Sequence, residues 1–441
     1  MRYFYSLLIW LLVPAALLYF LLRSRREPAY RSRLTERLGY GPTVQGRPVW
    51  IHAASVGEAD AAILLAIGLL RQDPSMSLWM TTFTPTGADR IRRALMGQGE
   101  FADRVGLSFL PLDTPAAVRR FLKRLNPRVG LIVERELWPN LYRQCAARHI
   151  PLAVISARWT EPSMQRYRRL FGERLLRDSM QALQLIAAQS QTDAATFVAA
   201  GVEEGRVAVA GNVKYDLGDT GAEDTQAAAW RKAWQAQQRS LWVAGSTHAG
   251  EEETALRIHQ RLLQDDPEAL LVMAPRHPQR FERVAALCEQ SGLLWERLSV
   301  LKAQPVGAPA KLQLILADTL GDLKSLYAAA DLAFVGGSLV PAGGHNLFEA
   351  LACGTAVITG NQLSNWQLLA DEMQAAGCLH VVADEAELSE SVLVLLRAPE
   401  QRQAMLAAGQ PLLARHRGAL ARTLALLAPL LDSQGSPGAL R

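Results

Sequence analysis

Acidic, basic and amide side chains recur in this chain where an apolar run gives way to a turn and a helix-periodic segment. In IHAASVGEAD, Glu58 stands just beyond such a run, with Ser55 and Gly57 ahead of it. A carboxylate exposed there can take the proton of a hydroxyl group. It can equally be a first-turn acid that complements the helix dipole, worth roughly 0.3–1 kcal/mol. A second acidic pair, Glu134 and Glu136 in VERELWPN, closes another apolar run. Two acids around an arginine at a strand end point to a ligand or an ion pair. Lys214, in GNVKYD, lies beside a polar boundary segment and can reach into a cleft.

The densest such segment is ADLAFVGGSLVPAGGHNLFEALACGTAVITG, residues 330–360. An apolar strand breaks at Gly336-Gly337, passes Pro341 and Gly343-Gly344, and enters a helix near His345-Asn346. Such a turn lets backbone approach a ligand, and a helix start offers unpaired N–H groups. Asn346 and Glu349 project from one face of the first turn. Amide and backbone donors for a phosphate, with a carboxylate for ribose hydroxyls, suit a nucleotide; a tight strand-to-helix connection is the plainer alternative. LWVAG similarly runs into Ser246-Thr247-His248, followed by Glu251-Glu252-Glu253, read as a solvated first turn. APRHP closes a further strand with Pro275, Arg276 and His277, chemistry suited to an anion.

These groups need a scaffold that brings strand ends together. Strands are expected at residues 49–53, 77–82, 106–110, 129–134, 152–156 and 185–188, with helices between them, including one long helix at 163–183. After a polar, glycine-containing stretch at 216–225 the alternation restarts, with strands at 241–244, 269–274, 313–316 and 332–335. Alternation at this spacing means βαβ units and parallel sheets. Ligands in such sheets bind beyond the C-terminal strand ends.

The 441 residues are 49% hydrophobic and 20% charged, which describes a packed protein of two domains with attachments. A net charge of +5 with no basic tract, zinc-ligand spacing or aromatic-basic signature speaks against a nucleic-acid partner. Four separated cysteines without a CxxC pair fit buried thiols. The chain shows no Ser-His-Asp order, P-loop, HExxH or DxD-like site, so no metal or cofactor is expected. Residues 3–22 carry no charge and, as a helix, would extend roughly 30 Å, the thickness of a bilayer core. Arg23, Arg25, Arg26, Arg31 and Arg33 follow, against Arg2 alone before it. The positive-inside rule then places the body in the cytoplasm, with the segment spanning or monotopic.

Taken in order, the anchor, HAASVGE, ERELWPN, SARWT, GNVKYD, GSTHAGEEE, APRHP, DTLGDL and FVGGSLVPAGGHN resemble the 3-deoxy-D-manno-octulosonic acid (Kdo) transferase family of lipopolysaccharide synthesis. The resemblance runs to about residue 420. It implies an α/β, GT-B glycosyltransferase fold: two Rossmann-like doubly wound domains facing a cleft, behind an N-terminal membrane-anchor helix. The expected division is an anchor at 1–22, a basic juxtamembrane segment at 23–47, an acceptor domain at 48–215, a linker at 216–240, a CMP-sugar donor domain at 241–431 and a loose tail at 432–441. It implies transfer of Kdo from CMP-Kdo to a hydroxyl of the lipid A precursor (lipid IVA) at the inner membrane, inverting and metal-independent. Glu58 resembles the family's proton acceptor, and Glu134 and Lys214 its transition-state-stabilising groups. Pro275, Arg276, Leu320, Gly321, Asp322 and the run Gly344, His345, Asn346, Leu347, Phe348, Glu349 fall where the family binds CMP. Ser55, Gly57, Glu136, Ser246, Thr247 and His248 are expected contacts to acceptor or donor. The chain departs from the commoner pattern at Arg135, at Leu347-Phe348, in NQLSNWQ, and at Leu320 and Asp322. The competing readings are another GT-B transferase using a UDP-sugar on a lipid-linked acceptor, and a catalytically silent membrane-tethered scaffold.

Overall fold

The computed structural model describes residues 2–25, 28–31, 33–97, 100–216, 221–303 and 312–432. The start of the expected linker (217–220) and nearly all of the expected loose tail (433–441) lie outside these residues. The chain folds as two compact units, one of Met1–Asp216 with Arg415–Arg441 and one of Leu217–Ala414.

In the first unit seven strands form one sheet: β1 (Val49–His52), β2 (Leu78–Thr82), β3 (Val105–Phe109), β4 (Val129–Val133), β5 (Leu152–Ala157), β6 (Leu183–Ala188) and β7 (Val207–Val209). Their order is β3-β2-β1-β4-β5-β6-β7, and every pairing is parallel. Helices cover both faces, so strands such as VGLIV read as unbroken apolar runs. The period of two still shows in the packing. Val49 and Ile51 join one core cluster, while Trp50 between them joins the other. The strand order reverses between β1 and β4, and such a switch point is where doubly wound sheets open a crevice for ligands. Glu58 follows β1, and Glu134 and Glu136 follow β4.

The second unit repeats the plan with β8 (Leu241–Thr247), β9 (Leu270–Pro275), β10 (Trp295–Arg297), β11 (Leu314–Leu316), β12 (Leu332–Val335), β13 (Ala356–Gly360) and β14 (Leu379–Val382). The order is β10-β11-β9-β8-β12-β13-β14, again all parallel. Its reversal lies between β8 and β12, beside Ser246-Thr247-His248 and Gly336-Gly337. Two parallel Rossmann-like units are the architecture of a GT-B glycosyltransferase.

Several expected elements differ. The long helix at 163–183 is two, Glu161–Phe171 and Glu173–Gln181, because Gly172 between them adopts φ 84°, a left-handed conformation that stops a helix. The expected linker contains the helix Gly221–Ala233, which packs on Leu323–Ala329 within the second unit. The last helix, Ala419–Asp432, packs on Val56–Gln72 of the first unit instead of extending the second domain. Its apolar face, with Leu424 and Leu427 buried in that core, decides the placement.

Candidate active site

Glu58 is the third residue of the helix Val56–Gln72. Its carboxylate accepts the Ser55 N–H at 2.9 Å while its own N–H donates to Ser55 Oγ at 3.3 Å, a reciprocal capping box. The first-turn role is therefore real. A solvated cap would stay in the ordinary carboxylate range, however, and Glu58 does not. It is 6% exposed, and burial, reinforced by the charges of Glu134 and Glu136, pushes its carboxyl from 4.5 up to about 7 against the backbone hydrogen bonds of Ser55 and Ala54. A carboxyl poised near neutrality at a sheet's switch point is what proton abstraction requires.

Glu134 leaves β4 with φ 62°, a left-handed backbone that is sparsely populated for a residue with a side chain, and its N–H donates to Ile155 O at 2.8 Å. Burial raises its carboxyl, while Lys214, Arg135 and Arg158 oppose the rise. Burial lowers the Lys214 ammonium, opposed by Asp60 and Glu134. The ammonium lies beside Gly57: a β-carbon on that glycine would stand 3.6 Å from Lys214 Nζ. Burial works to raise Glu136 as well, but His52, the Trp138 indole N–H at 2.9 Å and Arg135 together hold it below its ordinary value. Ser55, Gly57, Glu58, Glu134, Glu136 and Lys214 thus form one cluster within the first unit.

Lys214 is far along the chain from its partners, and the C-terminal segment holds it in place. Ser156, itself at φ 50°, accepts the Val213 N–H at 3.0 Å. The buried His416 ring accepts the Asn212 N–H at 3.0 Å, and Asp216 receives the N–H groups of Gly418 and Leu420 at 2.9 and 2.7 Å. His52 was not singled out from sequence. It is fully buried, with Nδ1 at 2.9 Å from Thr81 Oγ1 and Nε2 at 3.9 Å from Glu136. A titratable side chain ending an otherwise apolar strand was the available signal.

In the second unit the acidic run 251–253 is not a solvated first turn. Glu251 and Glu252 are 1% and 0% exposed. Glu252 pairs with Arg280 at 3.0 Å, and only Glu253 caps its own helix, accepting the Gly250 N–H at 2.9 Å. Glu251 accepts four backbone N–H groups: His248 at 2.9 Å, Gly337 at 2.7 Å, Ser338 at 2.9 Å and Leu339 at 3.0 Å. The first part of the glycine-rich loop therefore cradles an internal carboxylate, in the place the sequence suggested for a phosphate. Glu251→Gln would turn an NH2 toward two of these donors. It is expected to lower stability by about 2–3 kcal/mol, the scale of a lost charge-assisted hydrogen bond, as checked by denaturant titration of the full chain.

The remainder of the loop faces differently. Gly343 has φ 91° and packs where a β-carbon would meet Asn365 at 2.3 Å. Gly344 has φ 78° and donates to Gly337 O at 2.7 Å. Asn346 caps the short helix Leu347–Ala352 by accepting the Phe348 N–H at 3.1 Å, and its Nδ2 reaches Glu349 at 3.3 Å. Leu347 and Phe348 are buried core. Burial raises the Glu349 carboxyl, with the charges of Lys324 and Arg276 opposing. Lys324, from the helix Leu323–Ala329, was passed over in the sequence because a lone lysine in an amphipathic helix carries no signal. Arg276 is exposed and Pro275 buried at the end of β9. His248 and His345 stack at 5.1 Å with their Nε2 atoms 2.9 Å apart, and His277 meets His248 edge-on at 5.4 Å. Burial and the charge of Arg276 bring His345 down to about 4, so this ring is neutral at pH 7. Ser246 takes φ 55° at the bulge ending β8, and Thr247 Oγ1 donates to Glu252 at 3.3 Å. Leu320 and Gly321 are exposed on a loop whose Asp322 is held by Lys302 at 2.9 Å and Thr319 at 2.5 Å. The structure so places Arg276, His248, His345, Asn346 and Glu349 as one group. No set of three or more histidine, cysteine or acidic groups spaced to hold a metal ion occurs among the described residues.

Residues 32–217 match the family described as 3-deoxy-D-manno-octulosonic-acid transferase (kdotransferase), and residues 292–410 match glycosyl transferases group 1. The chain is 37% identical over 437 residues to a 3-deoxy-D-manno-octulosonic acid transferase of Haemophilus influenzae, covering 98% of this chain and 99% of that one. It is 36% identical over 390 residues to the protein of that name from Bordetella pertussis, covering 87% of each. Among solved structures, the C-terminal CMP-Kdo binding domain of WaaA from Acinetobacter baumannii is 31% identical, covering 44% of this chain and 98% of that chain, with a TM-score of 0.41. Near-complete coverage by such relatives, joined to two Rossmann-like units with carboxylates at a switch point, establishes that the chain belongs to the 3-deoxy-D-manno-octulosonic acid (Kdo) transferases, a family of glycosyltransferase enzymes.

Proposed function

We propose that this Kdo transferase takes CMP-Kdo as donor and a hydroxyl of the lipid A precursor lipid IVA as acceptor, at the cytoplasmic face of the inner membrane. The observation that carries the reading is Glu58, a buried carboxyl titrating near 7 beside Glu134, Glu136 and Lys214. Glu58 takes the acceptor hydroxyl's proton as the oxygen attacks the anomeric carbon. The bond from that carbon to the CMP phosphate oxygen breaks, and CMP leaves with the electron pair. One displacement inverts the anomeric centre. Negative charge grows on a single phosphate, and a half-buried cation such as Lys214 can offset it without a metal ion. Asp60 and Glu134 oppose the lowering of the Lys214 ammonium by burial.

The second unit supplies the nucleotide contacts in this reading. Glu349, hydrogen-bonded by Asn346 and near the charges of Lys324 and Arg276, accepts ribose hydroxyls in this reading. Glu349→Gln is expected to weaken CMP binding by roughly 1–3 kcal/mol, read by calorimetric titration, with acceptor turnover at saturating donor little changed. The apolar helix Arg2–Arg23 attaches the enzyme to the membrane surface where a lipid acceptor lies.

The decisive experiment incubates the full chain with CMP-Kdo and lipid IVA, with and without excess EDTA, and reads product masses. Kdo-bearing lipid is expected in both. Product only with a UDP-sugar would overturn the donor, and activity lost to EDTA and restored by magnesium would overturn the metal-free chemistry.

A further inference from the structure

The helix Arg2–Arg23 is long and apolar enough to cross a bilayer, yet side chains near both of its ends are fastened to the first unit. Tyr5, Ile9, Val13, Ala16, Phe20 and Ser24 are buried or half-buried, a stripe at intervals of three and four residues that runs from one end to the other. Near the N-terminus, Tyr5 donates to buried Asp113 at 2.9 Å, Ser6 donates to Asn140 at 2.9 Å, and Tyr5 meets Phe171 edge-on at 5.3 Å. Near the C-terminus, Phe20 stacks on Tyr30 and covers the guanidinium of Arg37 at 4.0 Å. Arg37 is 0% exposed, and its charge is enclosed by Phe20, Phe83 and Phe109.

Tyr5 and Phe20 are separated by about 22 Å along the helix axis. A spanning helix would set Tyr5 that much deeper than Phe20 in the membrane, taking Asp113 and Asn140 into hydrocarbon or uncovering Arg37. Both ends are instead fastened to one globular unit. The opposite face carries Phe4, Leu7, Trp10, Leu11, Leu18 and Leu22, all exposed, with Trp10 and Leu11 at 64% and 65%. Exposed Arg23 ends the helix and exposed Arg25 follows it, and the neighbouring helix Glu161–Phe171 adds exposed Arg166, Arg169 and Leu170. An apolar face edged with arginines matches a membrane surface with anionic headgroups.

We propose that this helix lies flat on the cytoplasmic leaflet without crossing it, and that its outward face is a monotopic docking surface for anionic phospholipid. This rests on the membrane attachment proposed above and specifies its geometry. Both the N-terminus and the body then stand on one side of the bilayer. The helix acts as a fixed platform, orienting the first unit to the lipid surface.

The test appends a cysteine ahead of Met1 in the full chain; the four native cysteines are buried. In intact spheroplasts an impermeant maleimide is expected to leave that cysteine unmodified, and to modify it once the membrane is lysed. Modification in intact spheroplasts would show a spanning helix and overturn the proposal. A chain found wholly in the soluble fraction would overturn membrane attachment itself. Purified protein is expected to float with phosphatidylethanolamine–phosphatidylglycerol vesicles at least about tenfold better than with phosphatidylcholine. Trp10→Glu combined with Leu11→Glu should abolish flotation with an unchanged unfolding midpoint, because neither side chain holds the helix to the body. Flotation of that variant, or a stable dimer lost in it, would overturn lipid as the occupant of this face.

Discussion

Glu58→Gln is expected to lower kcat by about 10²–10⁴ while making the protein more stable above neutral pH. The two effects share one cause. Burial and two neighbouring carboxylates raise this carboxyl from 4.5 to about 7, so the folded protein holds the proton more tightly than the unfolded chain. The stability this gives is fully present below about pH 4.5 and is lost as pH rises to about 7. Beyond that, an ionised group in a 6% exposed site weighs on the fold by, at most, on the order of 3 kcal/mol. Glutamine removes the charge and still serves the third position of the capping box. Melting of the two proteins should coincide near pH 4 and diverge in favour of the variant at pH 8. The wild-type rate should fall below about pH 7 as the base takes up its proton, and the variant's residual rate should lack that acid limb. A variant that turns over normally, or is destabilised at both pH values, would show Glu58 to be only a helix cap.

Lys214→Met is expected to reduce kcat by about 10²–10³, the scale seen when a preorganised group facing developing charge is removed. The ammonium beside Gly57 is partly withdrawn from water, which strengthens its action on a nearby anion and lowers its own pKa. Its removal also affects Glu134. Burial already raises that carboxyl and Lys214 opposes the rise, so without the lysine Glu134 moves further up. Stability of the single variant should therefore fall more steeply with rising pH than that of the wild type. Adding Glu134→Gln should restore stability without restoring turnover, because it removes a half-buried charge that has lost one of its cations but supplies no cation. Full activity in the double variant would exclude Lys214 from transition-state stabilisation.

Glu58, Glu134 and Glu136 were visible in the sequence because each follows an apolar run, and parallel strands covered on both faces write themselves as such runs. The alternation of these runs with helix-periodic segments determined the two doubly wound halves for the same reason. The acidic run 251–253 was misjudged because three consecutive glutamates at a helix start look solvated. Only the fold shows that Glu251 fills a nest of four N–H groups contributed by His248, just beyond β8, and by a loop nearly ninety residues away. The long helix was divided by one backbone conformation, at Gly172, that composition does not encode.

Local pattern, then, determined the elements, the order in which they alternate and the residue types at strand ends, because periodicity and turn chemistry act over a few positions. Tertiary structure decided which of these residues meet. Lys214 reaches Gly57 across 157 positions of sequence only because β7 returns to the sheet and the C-terminal residues 416–420 fasten residues 212–216. It also decided the protonation of Glu58, since desolvation and the fields of Glu134 and Glu136 depend on distance through space and leave no trace in spacing along the chain. The N-terminal helix illustrates the same division. Its length and hydropathy make it fit to span a bilayer, whereas Tyr5 on Asp113 and Phe20 over Arg37 lay it along the protein.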